Sequence, residues 1–349
     1  MAAGYQNKAV INNGATWGTL PAINLAKTGV SLAEMPGAGM TRNDSPASGT
    51  AMEFSGSPNK GGIVAGDMTL DFLASFEHVW RALALFCDDT TSGSGPTVHK
   101  LTPFLAPTNP FIGLYVQVPN PDNDGGTTRG LEVPSFAGSG FELTSNLGEV
   151  SRLTVSGIPH SVKPVTAATI GTATFPATNS LLTMEAGDTD FFQISNAGSA
   201  LANLGISGFT FSWSAAREGG AHSTTQEYVG VPDRTGTGSG ELVIRIPGLV
   251  PVSALAEFTT PTERNALVSF PSKSIGGVSM TAKVKFPRMI LKGFDPAGSG
   301  SGSTTHELTY RLYGDPDAAA VSDCDTTGGT PWEIEIGNSE TTDYNAAIS

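Results

Sequence analysis

The five histidines, His78, His99, His160, His222 and His306, are the first residues to weigh for chemistry, because imidazole is the commonest general base and metal ligand. They stand in unrelated contexts, and no two fall at a spacing that would set ligands around one metal. His78 falls at the start of a helical stretch, where a surface or capping role is expected, and His99 and His306 lie beside strand-like runs. No serine occupies a Gly-x-Ser-x-Gly elbow. Gly236-Thr-Gly-Ser-Gly240 is glycine-rich, but neither a helix nor a Lys-Ser or Lys-Thr pair follows, so it reads as a turn and not as a phosphate cradle. Asp122-Asn-Asp-Gly-Gly126 opens like a calcium loop yet lacks the closing bidentate Glu, which favours a hairpin turn. Glu333 and Glu335 share a strand face and could mimic a glycosidase pair, but that mechanism needs two carboxylates facing each other across a cleft. The pattern points away from an enzyme, and no cofactor or metal is expected.

The elements that carry these residues are mostly strands. Met68, Leu70 and Phe72 alternate with Thr69 and Asp71, and the same period of two recurs at Leu114–Val118, Phe209–Trp213, Leu242–Ile246, Leu308–Leu312 and Trp332–Ile336. Each run predicts an antiparallel strand with one wet face, and Gly/Asn/Asp clusters at 122–126, 138–140, 236–240 and 298–303 predict the turns between them. The clearest helix is Phe76–Cys87, with Ser75 as N-cap and Val79, Trp80, Leu83 and Phe86 forming one apolar face against a sheet. A weaker helical stretch covers Val252–Phe258 and Thr262–Val268, broken by Pro261.

The second half repeats the layout of the first. A glycine-rich turn, an alternating strand and a helical stretch follow one another at 54–87 and again at 229–268. Long polar segments precede both units, at 36–60 and at 215–226, and loops of that length without structure of their own tend to be functional. They suit arms that grip a neighbouring subunit, with Gly37, Met40, Arg42, Asn43 and Asp44 in the first and Arg217, Glu218 and His222 in the second. A Pro-bounded Thr/Ala run at 162–178 divides the chain into expected domains 1–165 and 166–349, the second ending in an acidic extension.

Composition narrows the function classes. A length of 349 residues favours two domains over one core. Only 15% of residues are charged, which suits short strands joined by polar turns. A net charge of −13 argues against binding nucleic-acid phosphates or an anionic membrane surface. The N-terminus has no apolar core of the kind that directs export, and no apolar run approaches the roughly 20 residues a spanning helix needs. Cys87 and Cys324 are expected to be free thiols.

Four features in order over the first 120 residues resemble the two-domain tail tube (major tail) proteins of long-tailed bacteriophages: Gly14-Ala-Thr-Trp-Gly-Thr19, the glycine-rich turn and strand Lys60–Phe72, the helix Phe76–Cys87, and the strand Val98-His-Lys-Leu-Thr-Pro103. The second half matches that family in layout alone. The resemblance implies a mainly β protein of two tandem tube-type β-sandwich or barrel domains, each flanked by one short helix. It implies a virion protein, assembled in the bacterial cytoplasm, that stacks into rings. A duplicated chain would form a trimer standing in for a hexamer, although a hexamer of chains is also possible. Implied partners are other copies of the chain and the tape measure and tail terminator proteins. DNA would pass through the lumen without specific binding, kept off the wall by its acidity. The main rival is a carbohydrate-binding or adhesive β-sandwich, which would want exposed aromatic platforms, and a hydrolase ranks third.

Overall fold

The computed structural model describes residues 7–14, 16–21, 29–33, 38–42, 63–104, 110–118, 129–166, 178–196, 199–220, 230–234, 236, 238–248, 252–294, 305–314 and 323–346. The protein is mainly β, with a large antiparallel sheet and two short helices. In chain order the strands of the first half are β1 (Asn7–Asn13), β2 (Gly29–Leu32), β3 (Ala38–Arg42), β4 (Ile63–Leu73), β5 (Cys87–Ser92), β6 (Thr97–Pro103), β7 (Ile112–Val118), β8 (Arg129–Asn146), β9 (Arg152–Pro159) and β10 (Lys163–Thr166). Those of the second half are β11 (Phe192–Asn196), β12 (Ala202–Asn203), β13 (Gly208–Ser214), β14 (Arg217–Gly220), β15 (Gly230–Arg234), β16 (Ser239–Pro247), β17 (Glu263–Ile275), β18 (Val278–Phe294), β19 (Thr305–Tyr313) and β20 (Glu333–Asn338).

The first-half strands close a circuit. β1 pairs with β2 and β7, β7 with β8, β8 with β9, β9 with β4, and β4 returns to β2 at Leu32–Phe72. Closure of this kind removes unpaired edges. The same order recurs in the second half: β11 with β12 and β17, β17 with β18, β18 with β19, β19 with β16, and β16 with β13, which follows β12 in the chain. The correspondence extends outward. β10 continues β9 along the N-terminal part of β8, and β20 lies beside the N-terminal part of β18 in the same way.

Two joints weld the halves into one 18-stranded sheet. β8 pairs with β13 over seven residues, from Gly140–Ser214 to Asn146–Gly208. The hairpin β5–β6, which has no counterpart in the second half among the described residues, pairs through β6 with β20. Inward-facing residues of both halves form one continuous core. At its centre Phe141 of β8 meets Phe211 of β13 and Trp332 edge-on at 5.2 and 5.5 Å, and Trp332 also meets Phe211 and Trp213 at 5.5 and 5.6 Å. Edge-to-face rings at such distances add to the gain from burial alone.

Alternation explains most strands. Leu242, Ile244 and Ile246 of β16 and Leu308, Tyr310 and Leu312 of β19 are buried, while their neighbours face outward. The segment Trp332–Ile336 departs from its expected wet face. Glu333 is as buried as its apolar neighbours, because Thr327 and Lys285 close over its carboxylate, while Glu335 two residues on stays partly exposed. The Thr-Trp-Gly-Thr segment forms a turn in which Thr19 N–H donates to Thr16 O, and Gly18 takes a φ of 83°. A side chain there would also strike the His160 ring, so the turn requires glycine at this position. Trp17 stands edge-on to Phe111 and His160.

The helices correct two expectations. Residues His78–Leu85 form a 3-10 helix, not an α-helix with one apolar face, and all eight residues are buried. The helix packs against β1, β2, β5, β7 and β8, so no side of it meets water. Val79, Trp80, Leu83 and Phe86 are all in the core. Ser75 does not cap it; its hydroxyl accepts from Glu77 N–H at 3.4 Å and the cap position is Glu77. The second helix, α1, spans Val252–Thr259 and no further. Thr262–Val268 is not helical: from Glu263 it is β17, where alternating burial and the ladders to β11 and β18 override the helical reading. Cys87 and Cys324 are free and buried, and burial pushes both thiols up, Cys324 to about 12.

Candidate functional site: the assembly surfaces

The residues expected to form arms fall into three groups. Gly37, Asn43, Asp44 and His222 lie outside the described residues. Met40 and Arg42 are in β3, a strand that runs antiparallel to β4, opposite Ala65 and Ile63. Glu218 lies in β14, opposite Asp233 of β15. The expectation of loops at these places is therefore corrected: 38–42 and 217–220 are strands, because small and polar residues still pair when a ladder is offered to them.

Arg217 anchors the β14–β15 hairpin to the sheet. Its Nε donates to Gly138 O of β8 at 2.6 Å and its Nη1 to Pro232 O at 3.4 Å. Burial, together with nearby Arg234, lowers its pKa to about 10 against the opposing pull of Asp233. The guanidinium still carries its charge at neutral pH.

The topological correspondence gives β3 a specific counterpart. β2 and β3 run in succession along β4 as β13 runs along β16. The edge of β13 away from β16 is occupied by β8. β3 pairs with β4 alone among the described strands. On β18, the side that holds β17 carries no partner past Ile290 among the described residues, whereas the equivalent side of β8 goes on from β7 to β13. One half thus holds a joint whose two complementary edges carry no partner among the described residues at the ends of the repeat.

The outer face across the joint is polar. Asp71, Thr154, Glu142, Ser212, Glu241 and Arg311 stand in register on β4, β9, β8, β13, β16 and β19. Part of this row lines an open groove of about 560 Å³. Arg152 bonds Asp71 at 3.0 Å and Lys292 bonds Glu241 at 2.5 Å.

Glu333 and Glu335 do not form a catalytic pair. Both hold Lys285 Nζ, at 2.9 and 2.8 Å, and Glu333 also accepts from the backbone and hydroxyl of Thr327. Burial pushes the Glu333 carboxyl up, but the Thr327 and Lys285 bonds outweigh it and hold the group below its ordinary value. The cluster ties β18 to β20 instead of facing a cleft.

A buried polar cluster escaped the sequence reading. His78 is not a surface cap: it is buried, with Nδ1 3.7 Å from Glu340. His99 of β6 is fully buried between Asp89 of β5, 2.8 Å from Nδ1, and the carbonyl of Glu340, 3.0 Å from Nε2. Its ring stacks on Tyr344 at 4.2 Å. Arg81, also fully buried, donates to the carbonyls of Tyr344 and Ala346 and lies over the Tyr344 ring. Asp89 is ten residues from His99, but the partners from the C-terminal segment are 241–265 residues away, so no local spacing announces the cluster.

No known protein family matches the chain, and no curated protein matches it either.

Proposed function

We propose that the chain is a structural subunit of a bacteriophage tail tube, built as two tandem tube-type β domains that assemble into stacked rings. The observation that carries this reading is the joint between the halves: β8 takes β13, and among the described residues the matching edges, β18 past Ile290 and the free side of β3, carry no partner. A second copy can add β3 to that edge of β18 as β13 adds to β8. Each addition leaves the same two edges open, so the contact is head-to-tail and either closes into a ring or grows as a filament. Three copies of a two-unit chain give six units, which favours a trimer. Within such a ring Met40 and Arg42 belong to the lateral contact, and the β14–β15 hairpin is left to reach the next ring. The polar row through Asp71, Glu142 and Glu241 is the candidate lumen lining; Arg152 and Lys292 offset two of its carboxylates, so keeping transiting DNA from sticking would rest on the chain's net charge of −13. Tape measure and tail terminator proteins are the further partners this reading calls for.

The adhesive β-sandwich has less support. It needs an exposed aromatic platform, yet Trp80, Trp213 and Trp332 are core residues and Trp17 is packed against Phe111 and His160. The test is the mass of the purified chain in solution, with negative-stain images at high concentration. A trimer, or rings and tubes of fixed diameter, is expected. A chain that stays monomeric at high concentration overturns the proposal.

A further inference from the structure

The C-terminal segment from Asn338, the last residue of β20, is held to the body of the protein almost entirely by polar groups. Asn338 Nδ2 donates to Phe76 O at 2.7 Å and to the Tyr344 hydroxyl at 2.6 Å. Tyr344 N–H donates to Asp89 Oδ2 at 2.7 Å, and Asn13 Nδ2 donates to Tyr344 O at 2.6 Å. Asn345 Nδ2 donates to Cys87 O at 3.0 Å, and the Thr91 hydroxyl donates to Asp343. Tyr344 is the one large apolar group the segment buries at this place, and it lies between His99 and Arg81.

The hydrogen-bond geometry at His99 suits a charged ring. Its two ring nitrogens face a carboxylate and a backbone carbonyl, both of which accept. A neutral imidazole has one donor only, so satisfying both contacts takes the doubly protonated ring. The charges around it then balance. His99 on β6 and Arg81 on the 3-10 helix are positive, and Asp89 on β5 and Glu340 on the C-terminal segment are negative. His78, from the 3-10 helix, faces Glu340, and Ile336 of β20 is apolar. Loss of the His99 proton leaves one ring nitrogen pointing a lone pair at an acceptor and removes a positive charge from a buried site, both of which are costly.

We propose that residues 338–346 are a pH-gated clasp, docked while His99 is an imidazolium and released when it loses its proton. Burial lowers the His99 pKa, but the Asp89 bond and charge and the Glu340 carbonyl outweigh it, so the docked value lies above the ordinary 6.5. The sign follows from that direction. Docking is at full strength below about 6.5, where the free imidazole is itself protonated, and weakens as pH rises through the higher docked value. Release uncovers the Cys87 carbonyl at the head of β5, a strand that pairs with β6 alone among the described strands.

Hydrogen exchange of the full-length chain between pH 6 and 9, corrected for intrinsic rates, tests the clasp. Peptides covering 338–346 should lose protection progressively across that range while peptides from β16 and β19 keep theirs. In Asp89→Asn the release should move to lower pH, because the charge that holds the proton on His99 is gone. In His99→Gln the segment should be open at every pH. Protection that stays flat from pH 6 to 9, or a release midpoint that Asp89→Asn does not move, overturns the proposal, even if His99→Gln fails to fold.

Discussion

Trp332 should be the most costly single side chain to remove from the core, and its loss should be felt by the whole chain at once. Its side chain is fully buried and meets three rings, Phe141, Phe211 and Trp213, all edge-on between 5.5 and 5.6 Å. Two of those rings are on β13 and one is on β8, so the indole sits on the joint between the halves. Burying about 200 Å² of ring at about 25 cal/mol/Å² contributes about 5 kcal/mol, of which an alanine recovers little. Loss of the edge contacts and partial collapse of the cavity bring the expected cost of Trp332→Ala to about 4 kcal/mol. Trp332→Phe keeps a ring in place and should cost about 1–2 kcal/mol. Urea unfolding followed by far-UV circular dichroism measures both. With a slope of about 3 kcal/mol/M or more for a chain of this size, Trp332→Ala should lower the midpoint by about 1 M with the slope unchanged. A cost below about 1.5 kcal/mol, or a transition that splits so that only one step moves, would refute the idea of one core shared across the joint.

The Lys285 cluster should show a carboxylate signature. Lys285→Met leaves Glu333 buried without its cation and should cost about 3 kcal/mol at pH 7 by urea unfolding. Because the folded Glu333 pKa lies below its ordinary 4.5, its contribution is complete above about pH 4.5 and fades as pH falls through the lower folded value. The stability gap between wild type and Glu333→Gln should therefore shrink in acid, and a gap constant from pH 7 to 3 would contradict the assignment. Gly157→Ala places a Cβ 2.3 Å from Ala137 O and 2.8 Å from the Gly138 Cα, backbone atoms that cannot rotate away. It should cost about 1–3 kcal/mol in thermal or urea melts, whereas Gly205→Ala, which meets nothing within 4 Å, should cost far less. Arg217→Met should raise hydrogen exchange in the β14–β15 hairpin at least fivefold, while its effect on global stability stays near 1 kcal/mol, the size of one anchoring bond.

The sequence announced strands wherever one face is wet. β4, β13, β16 and β19 alternate cleanly because each has solvent on one side, and polar residues mark that side. The pattern fails where a polar face is covered locally. Glu333 reads as an outward residue because glutamate is usually exposed, yet Lys285 and Thr327 bury it. His78 reads as a surface or capping residue, although every residue of the 3-10 helix is buried. Thr262–Val268 was ambiguous locally, and the ladders from β11 and β18, formed by residues far along the chain, decided for strand. The repeat was legible as a faint order of turn, strand and helix. The pairing scheme gives it a topological counterpart, since β8 holds β7, β9 and β10 where β18 holds β17, β19 and β20. His99 and its partners were illegible, because the residues that set its charge come from β5, the 3-10 helix and the last dozen residues.

The ladder between β8 and β13 also sets how the molecule carries load. It holds seven residue pairs side by side, and β8 itself runs on into the pairing with β7, β9 and β10. Tension applied along these strands would load all the cross-strand bonds together in shear. Tension applied across them would break the bonds one pair at a time. The joint is therefore stiff along one axis and compliant along the other. A particle that welds such sheets edge to edge would bend by peeling at these seams before any single half of the chain came apart.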